Sequence, residues 1–158
     1  MTKLTFYEKL EEVCETVSKL DFCMLIGDFN AQIGKEECYR EITGNQTIHE
    51  TTNNNGEKLC NLAATLDMFI VSTKFIHRKQ HKITWLIPGT NTGNQIDHML
   101  VRSKDCNSIN DVRSYRGTNL DTDHILEIAK CKIKIFTQKK QELQNQRKWN
   151  LEKMKDLK

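Results

Sequence analysis

A chain of 158 residues, 37% hydrophobic and 28% charged, holds enough apolar material for one modest domain with its own core and leaves little for a second. Its 24 basic and 21 acidic residues give a net charge of +3, too balanced for the whole surface to trap a polyanion. No run of about 18 apolar residues marks a membrane span, and Met1-Thr2-Lys3-Leu4 leads into a mixed polar segment rather than a leader, so membrane and secreted readings are set aside. Cys14, Cys23, Cys38, Cys60, Cys106 and Cys131 form no C-x-x-C pair or zinc-like spacing. Reduced thiols in a nuclear or cytoplasmic protein are expected.

Phe6, Leu10, Val13, Val17 and Leu20 recur at spacings of four and three, which predicts an amphipathic helix over 5–19, and Thr5-x-x-Glu8 has the form of a capping box. The apolar run 22–26 is too short for a helix and suits a strand buried on both faces, with Asp28 and Asn30 just beyond it. Residues 34–56 lack a sustained period and predict a long loop, closed by Asn53-Asn54-Asn55 as an N-cap region. Leu59, Leu62, Ala63 and Leu66 then form the apolar stripe of a helix over 56–66, followed by a strand at 68–71. Strands at 82–86 and 95–101 flank Pro88-Gly89-Thr90-Asn91-Thr92-Gly93 and read as a hairpin. Further strands are expected at 111–115 and 125–135, separated by a polar loop. The remainder, 136–158, is rich in Gln and Lys and reads as an exposed basic helical tail or linker after a domain at 1–135.

Four polar groups interrupt this apolar framework. Gly27-Asp28-Phe29-Asn30 sets a carboxylate and an amide two residues apart beyond a buried strand, an arrangement suited to phosphate chemistry and also to an ordinary turn. In Gln95-Ile96-Asp97-His98 the carboxylate of Asp97 is costly to bury without a partner. Thr122-Asp123-His124 supplies one, since an aspartate paired with His124 across neighbouring strands holds the imidazole in one tautomer beside a phosphate. His77 and His81 would share one side of a helix, but Arg78-Lys79-Gln80 predicts a loop. His77, Arg78, Lys79 and Lys82 then read either as a basic patch against a nucleic-acid backbone or as a solvated loop. Trp85 is either a core aromatic or a groove-facing wedge.

In this order, Gly27-Asp28-Phe29-Asn30, Thr84-Trp85, Gln95-Ile96-Asp97-His98 and Thr122-Asp123-His124 resemble the signatures of the endonuclease/exonuclease/phosphatase family. The text from Gly27 to Gly34, at Asn55-Gly56-Glu57-Lys58-Leu59 and at Val112-Arg113-Ser114-Tyr115-Arg116-Gly117 is similar to the apurinic-type endonuclease of RTE-clade non-LTR retrotransposons and to host proteins derived from it. The resemblance spans about 6–135. It implies the second half of a DNase I-like α/β sandwich: one mostly antiparallel sheet, two helices on its outer face, and an inner face bare without the first half, displaying residues such as Leu25, Phe69 or Ile96.

The same resemblance implies a Mg²⁺-dependent phosphodiesterase acting on DNA. Asp28 orients or deprotonates the attacking water, Asn30 holds the scissile phosphate, Asp97 orients His124, His124 neutralises transition-state charge, and Asp123 sits near the metal. Thr122 stands where the family has serine, and His98 where it often has tyrosine. Because the family's metal-binding glutamate belongs to the first half, a truncated domain inactive alone is expected, its partners being DNA and that first half or a second copy. The alternative is a non-catalytic retroelement remnant that at most binds nucleic acid weakly.

Overall fold

The computed structural model describes residues 3–90, 92–117 and 121–133. Helix α1 spans Lys3–Thr16, so Thr5 lies inside it rather than at its cap, and Val17 and Leu20 fall beyond its end. Helix α2, Asn54–Thr65, is started by Asn53, whose side-chain oxygen accepts the Gly56 N–H at 2.8 Å and the Gln32 N–H at 3.1 Å. Leu59, Cys60, Leu62 and Ala63 are its buried stripe.

Gly56 is required by this docking. A Cβ there would stand 2.3 Å from the Gln32 carbonyl oxygen, a backbone atom that cannot swing away. An exposed helical Gly→Ala change stabilises by about 1 kcal/mol. Gly56→Ala is expected instead to destabilise by about 1–3 kcal/mol, the cost of overpacking. A urea midpoint at or above that of the parent protein would refute the close approach.

The strands are β1 (Met24–Asp28), β2 (Met68–Ile70), β3 (Trp85–Leu86), β4 (Gly93–Asn94), β5 (Asp97–Arg102), β6 (Ile109–Tyr115) and β7 (Leu126–Cys131). Among the described residues they form three sheets rather than one: β1-β5-β2, the hairpin β3-β4 and the ribbon β6-β7, all antiparallel. Met24 faces Val101, Ile26 faces Met99 and Asp28 faces Asp97 across the first pair. Alternation therefore divides the central sheet into two faces. Leu25, Met68, Ile70 and Leu100 pack with Tyr7 and Leu10 of α1 and the stripe of α2. Met24, Phe69, Met99 and Val101 pack with Ile109, Val112 and Ala129 of the β6-β7 ribbon.

That second face was expected bare, and here the expectation is corrected. The chain leaves β5 through a 3₁₀ turn at Ser103–Ser108 and returns across the sheet instead of extending it, so β6-β7 covers the far half of the face. Phe69 and Leu25 are half-buried and Ile96 is buried. Ile26 is the residue left displayed, at 62% exposure. In β7 the usual polarity is reversed: Leu126 and Ile128 point outward at 41% and 38% exposure, while Glu127 points inward. The expected tail at 136–158 lies outside the described residues. No helix among those described is long and apolar enough to cross a membrane.

Candidate functional site

Asp28 is the last residue of β1 and Asp97 the first of β5, and the register sets them directly opposite on one face. Two carboxylates so placed repel one another unless a cation or donor lies between them. His124 provides it. Its Nδ1 lies 3.2 Å from Asp97 Oδ2 and its Nε2 lies 3.9 Å from Asp28 Oδ2. With Nδ1 donating to Asp97, the nearer carboxylate sets the tautomer. The segment carrying His124 is stitched to β3 by Leu86 N–H to Asp123 O at 2.9 Å, Ile125 N–H to Thr84 O at 2.7 Å and a bridge between Trp85 and His124.

Asn30 sits at φ +50°, a left-handed conformation that asparagine tolerates better than most residues. Its N–H donates to Asp28 Oδ1 at 2.8 Å and its Nδ2 to Asp28 Oδ2 at 3.3 Å, an Asx turn that aims both side chains together. The Asn30 carbonyl accepts from Asn53 Nδ2 at 3.2 Å and Asn55 Nδ2 at 3.0 Å. The cap of α2 thus also clamps the Asp28–Asn30 turn.

Asp123 is not in this group. It is exposed, and its Oδ2 accepts the Trp85 indole N–H at 2.8 Å, which makes Trp85 a half-buried strut rather than a free wedge. His77 is likewise committed, its Nε2 lying 2.6 Å from Asp111 Oδ1, while Arg78 and Lys79 stay exposed. His77 and His81 belong to no cluster of three or more metal-ligating side chains among the described residues.

Three further residues shape the site in roles that the sequence pattern did not assign to them. Thr84 is buried, and its hydroxyl oxygen accepts the N–H groups of Ile96 and Asp97, each at 3.0 Å, fixing the start of β5. His98 is fully buried, donating from Nε2 to the Ala31 carbonyl at 2.8 Å and accepting from the Ser72 hydroxyl at Nδ1, also 2.8 Å. Burial pushes its pKa down to about 4, so it is a neutral brace between β5 and the residue after Asn30. Glu127 lies behind Asp97 with its Oε2 covered and without a hydrogen-bond partner. Burial first, and the charge of Asp97 second, push its pKa up to about 8. A threonine or histidine in an apolar strand, and a glutamate where alternation wants an apolar residue, were the available signals.

Asp28, Asp97 and His124 offer one ligand atom each within 4.8 Å of one another. Magnesium favours oxygen ligands and keeps water and substrate phosphate in its shell, needing only one or two carboxylates from a protein. Asp28 and Asp97 fit that demand, and the imidazole nitrogen does not add to it.

Craniofacial development protein 2 of Tragulus javanicus and that of Bos taurus are each 30% identical to the chain over 130 residues, 82% of this chain and 22% of theirs. A 3′-5′ exonuclease from Neisseria meningitidis matches its fold with a TM-score of 0.58 at 22% identity, over 83% of this chain and 54% of that one. A Neisseria 3′ phosphatase bound to product DNA hairpin gives 0.57 at 21% identity, over 82% and 52%. The endonuclease domain of a telomere-specific non-LTR retrotransposon gives 0.57 at 12% identity, over 84% and 52%. No family model matches the chain. Its class is that of DNase I-like α/β folds. Together with the curated relatives, this fold is consistent with the endonuclease/exonuclease/phosphatase family that the sequence motifs resemble. The chain spans about half the length of those solved structures and about a fifth of the curated relatives.

Proposed function

We propose that the chain carries the phosphate-handling part of a Mg²⁺-dependent DNA endonuclease of retrotransposon origin, and that nicking requires the longer protein of which it forms part. The observation that carries this reading is the Asp28–His124–Asp97 cluster at the end of the sheet. Asp28 takes the proton of the attacking water, Asn30 steadies the scissile phosphate beside it, and Asp97 holds His124 so that the imidazole faces the charge developing on the phosphoryl oxygens. Mg²⁺ would be held by Asp28 and Asp97 and would supply Lewis-acid polarisation of the phosphate, while Asp123, the carboxylate the resemblance assigns to the metal, is taken up by Trp85. Exposed Arg78 and Lys79 suit the DNA backbone, in keeping with the DNA hairpin bound by the Neisseria neighbour.

A second reading, a non-catalytic remnant that binds nucleic acid weakly, is favoured by the tie of Asp123 to the Trp85 indole, which takes the carboxylate that the resemblance assigns to the metal out of the cluster. Supercoiled plasmid with Mg²⁺ separates the two. The chain alone should show no appreciable nicking. The same residues within the longer protein should nick, and His124→Ala should lower that rate by about 10²–10⁴-fold. Absence of nicking in the longer protein would sink the enzyme reading, and nicking by the chain alone that His124→Ala abolishes would overturn the dependence on further sequence.

A further inference from the structure

The far end of the central sheet holds a cavity of about 550 Å³, a size that suits a small organic ligand. Strand β1 starts immediately after Cys23 on its wall and runs to Asp28, and β5 runs from Asp97 back to Arg102 on its wall. Val17, Leu66 and Met68 form the apolar part of a mixed lining, and the thiols of Cys14 and Cys23 add to that part, since a buried thiol behaves as a small hydrophobe. Burial raises the pKa of Cys14, with Cys23 adding to it and Arg102 opposing it.

Beside these apolar residues stands one half-buried guanidinium. Arg102 donates from Nη2 to the Val17 carbonyl at 2.9 Å, and among the described residues no carboxylate oxygen lies within 4.0 Å of it. A guanidinium has five N–H donors in a planar fork, and the matching acceptor is a carboxylate or phosphate taken by two of them at once. Lys104, also on the wall, is turned away to the Lys19 carbonyl at 2.6 Å; Lys19 shares the wall as a point charge, and Arg102 alone brings a planar fork. Glu15 and Asp67 share the lining without pairing to it, and their charge disfavours a dianion. The fork thus asks for an anion, the acidic neighbours ask for a single charge, and the walls ask for an apolar body.

We propose that this cavity is a binding site for a small monocarboxylate with an apolar tail, its carboxylate on Arg102 and its tail against Val17, Leu66 and Met68. The site is independent of the nuclease reading, and its test does not use catalysis. Octanoate, octanol, octyl phosphate and inorganic phosphate are titrated into the whole chain and followed by calorimetry and amide NMR. Octanoate should bind and shift resonances of residues 14–23 and 66–68, octanol and inorganic phosphate should fail, and octyl phosphate should bind more weakly than octanoate. Arg102→Met, which keeps an unbranched apolar stem, should weaken octanoate by at least about tenfold. If that variant does not fold, Arg102→Lys, which keeps the charge and loses the fork, should weaken it several-fold. Failure of octanoate to bind, equal binding of octanol, tighter binding of octyl phosphate, or an unchanged affinity in the folded Arg102 variant would each overturn the assignment.

Discussion

The stability gap between Glu127→Gln and the parent protein should widen as the pH rises from about 5 to 9, reaching roughly 4 kcal/mol in favour of the variant. Glu127 is turned inward on β7 with Oε2 covered and unpartnered, and its pKa is pushed from 4.5 up to about 8 by burial and then by Asp97. In that interval the native state keeps a proton that the unfolded chain has lost. Stability linked to this group is therefore full below 4.5 and drains away as the pH passes up through about 8. Glutamine preserves the shape and cannot ionise. Urea unfolding of both proteins at several pH values measures the gap, and a gap that stays constant would mean that Glu127 reaches water in the native state.

His98→Phe should destabilise the fold by about 3–5 kcal/mol, because it fills the space yet strands two buried partners, the Ala31 carbonyl and the Ser72 hydroxyl. His98→Gln can donate to the one and accept from the other, and should recover a good part of the loss. Acid gives a second readout. Burial, reinforced by the nearby His49, depresses the folded pKa of His98 from 6.5 to about 4 against the opposing effects of the Ala31 hydrogen bond and Asp28. Its linked stability is therefore complete above 6.5 and lost as the pH falls through about 4. Between 4.5 and 6.5 the contributions of His98 and Glu127 run in opposite directions, so the parent protein should show a broad optimum there. A parent profile as acid-resistant as that of His98→Phe would contradict a neutral, fully desolvated imidazole.

Much of the framework was legible because its residues obey local rules. Apolar runs broken by Gly27-Asp28 and Gln95-Ile96-Asp97 announce strand ends, and Asn53 before the Leu59–Ala63 stripe announces a helix start. The motifs around Asp28, Asp97 and His124 do fall together in space. What local rules could not carry is the choice of partner. The pairing of His124 with Asp97 was expected, but nothing in 122–124 tells that Asp123 turns to Trp85, which follows from the way β3 grips that segment. The separation of β6-β7 from the central sheet was hidden for a related reason: alternation tells which side chains share a face, not which element will cover it. Thr5 was misread as a cap because the box pattern is equally compatible with the first turn of a helix that starts earlier.

The way the site is stitched from β1, β5 and the segment before β7 has a temporal side. Asp28 and Asp97 become neighbours as soon as β1 and β5 zip together, but the imidazole that separates their charges arrives only when nearly all of the described chain has closed on itself. Such long-range closure is slow compared with local pairing. Until then the sheet carries two like charges at one end, and that end is its weakest. A growing chain therefore completes its apolar end, around Leu100 and Ile70, well before its chemical end, and the native protein should open in the reverse order, with the strand termini at Asp28 and Asp97 the first to part.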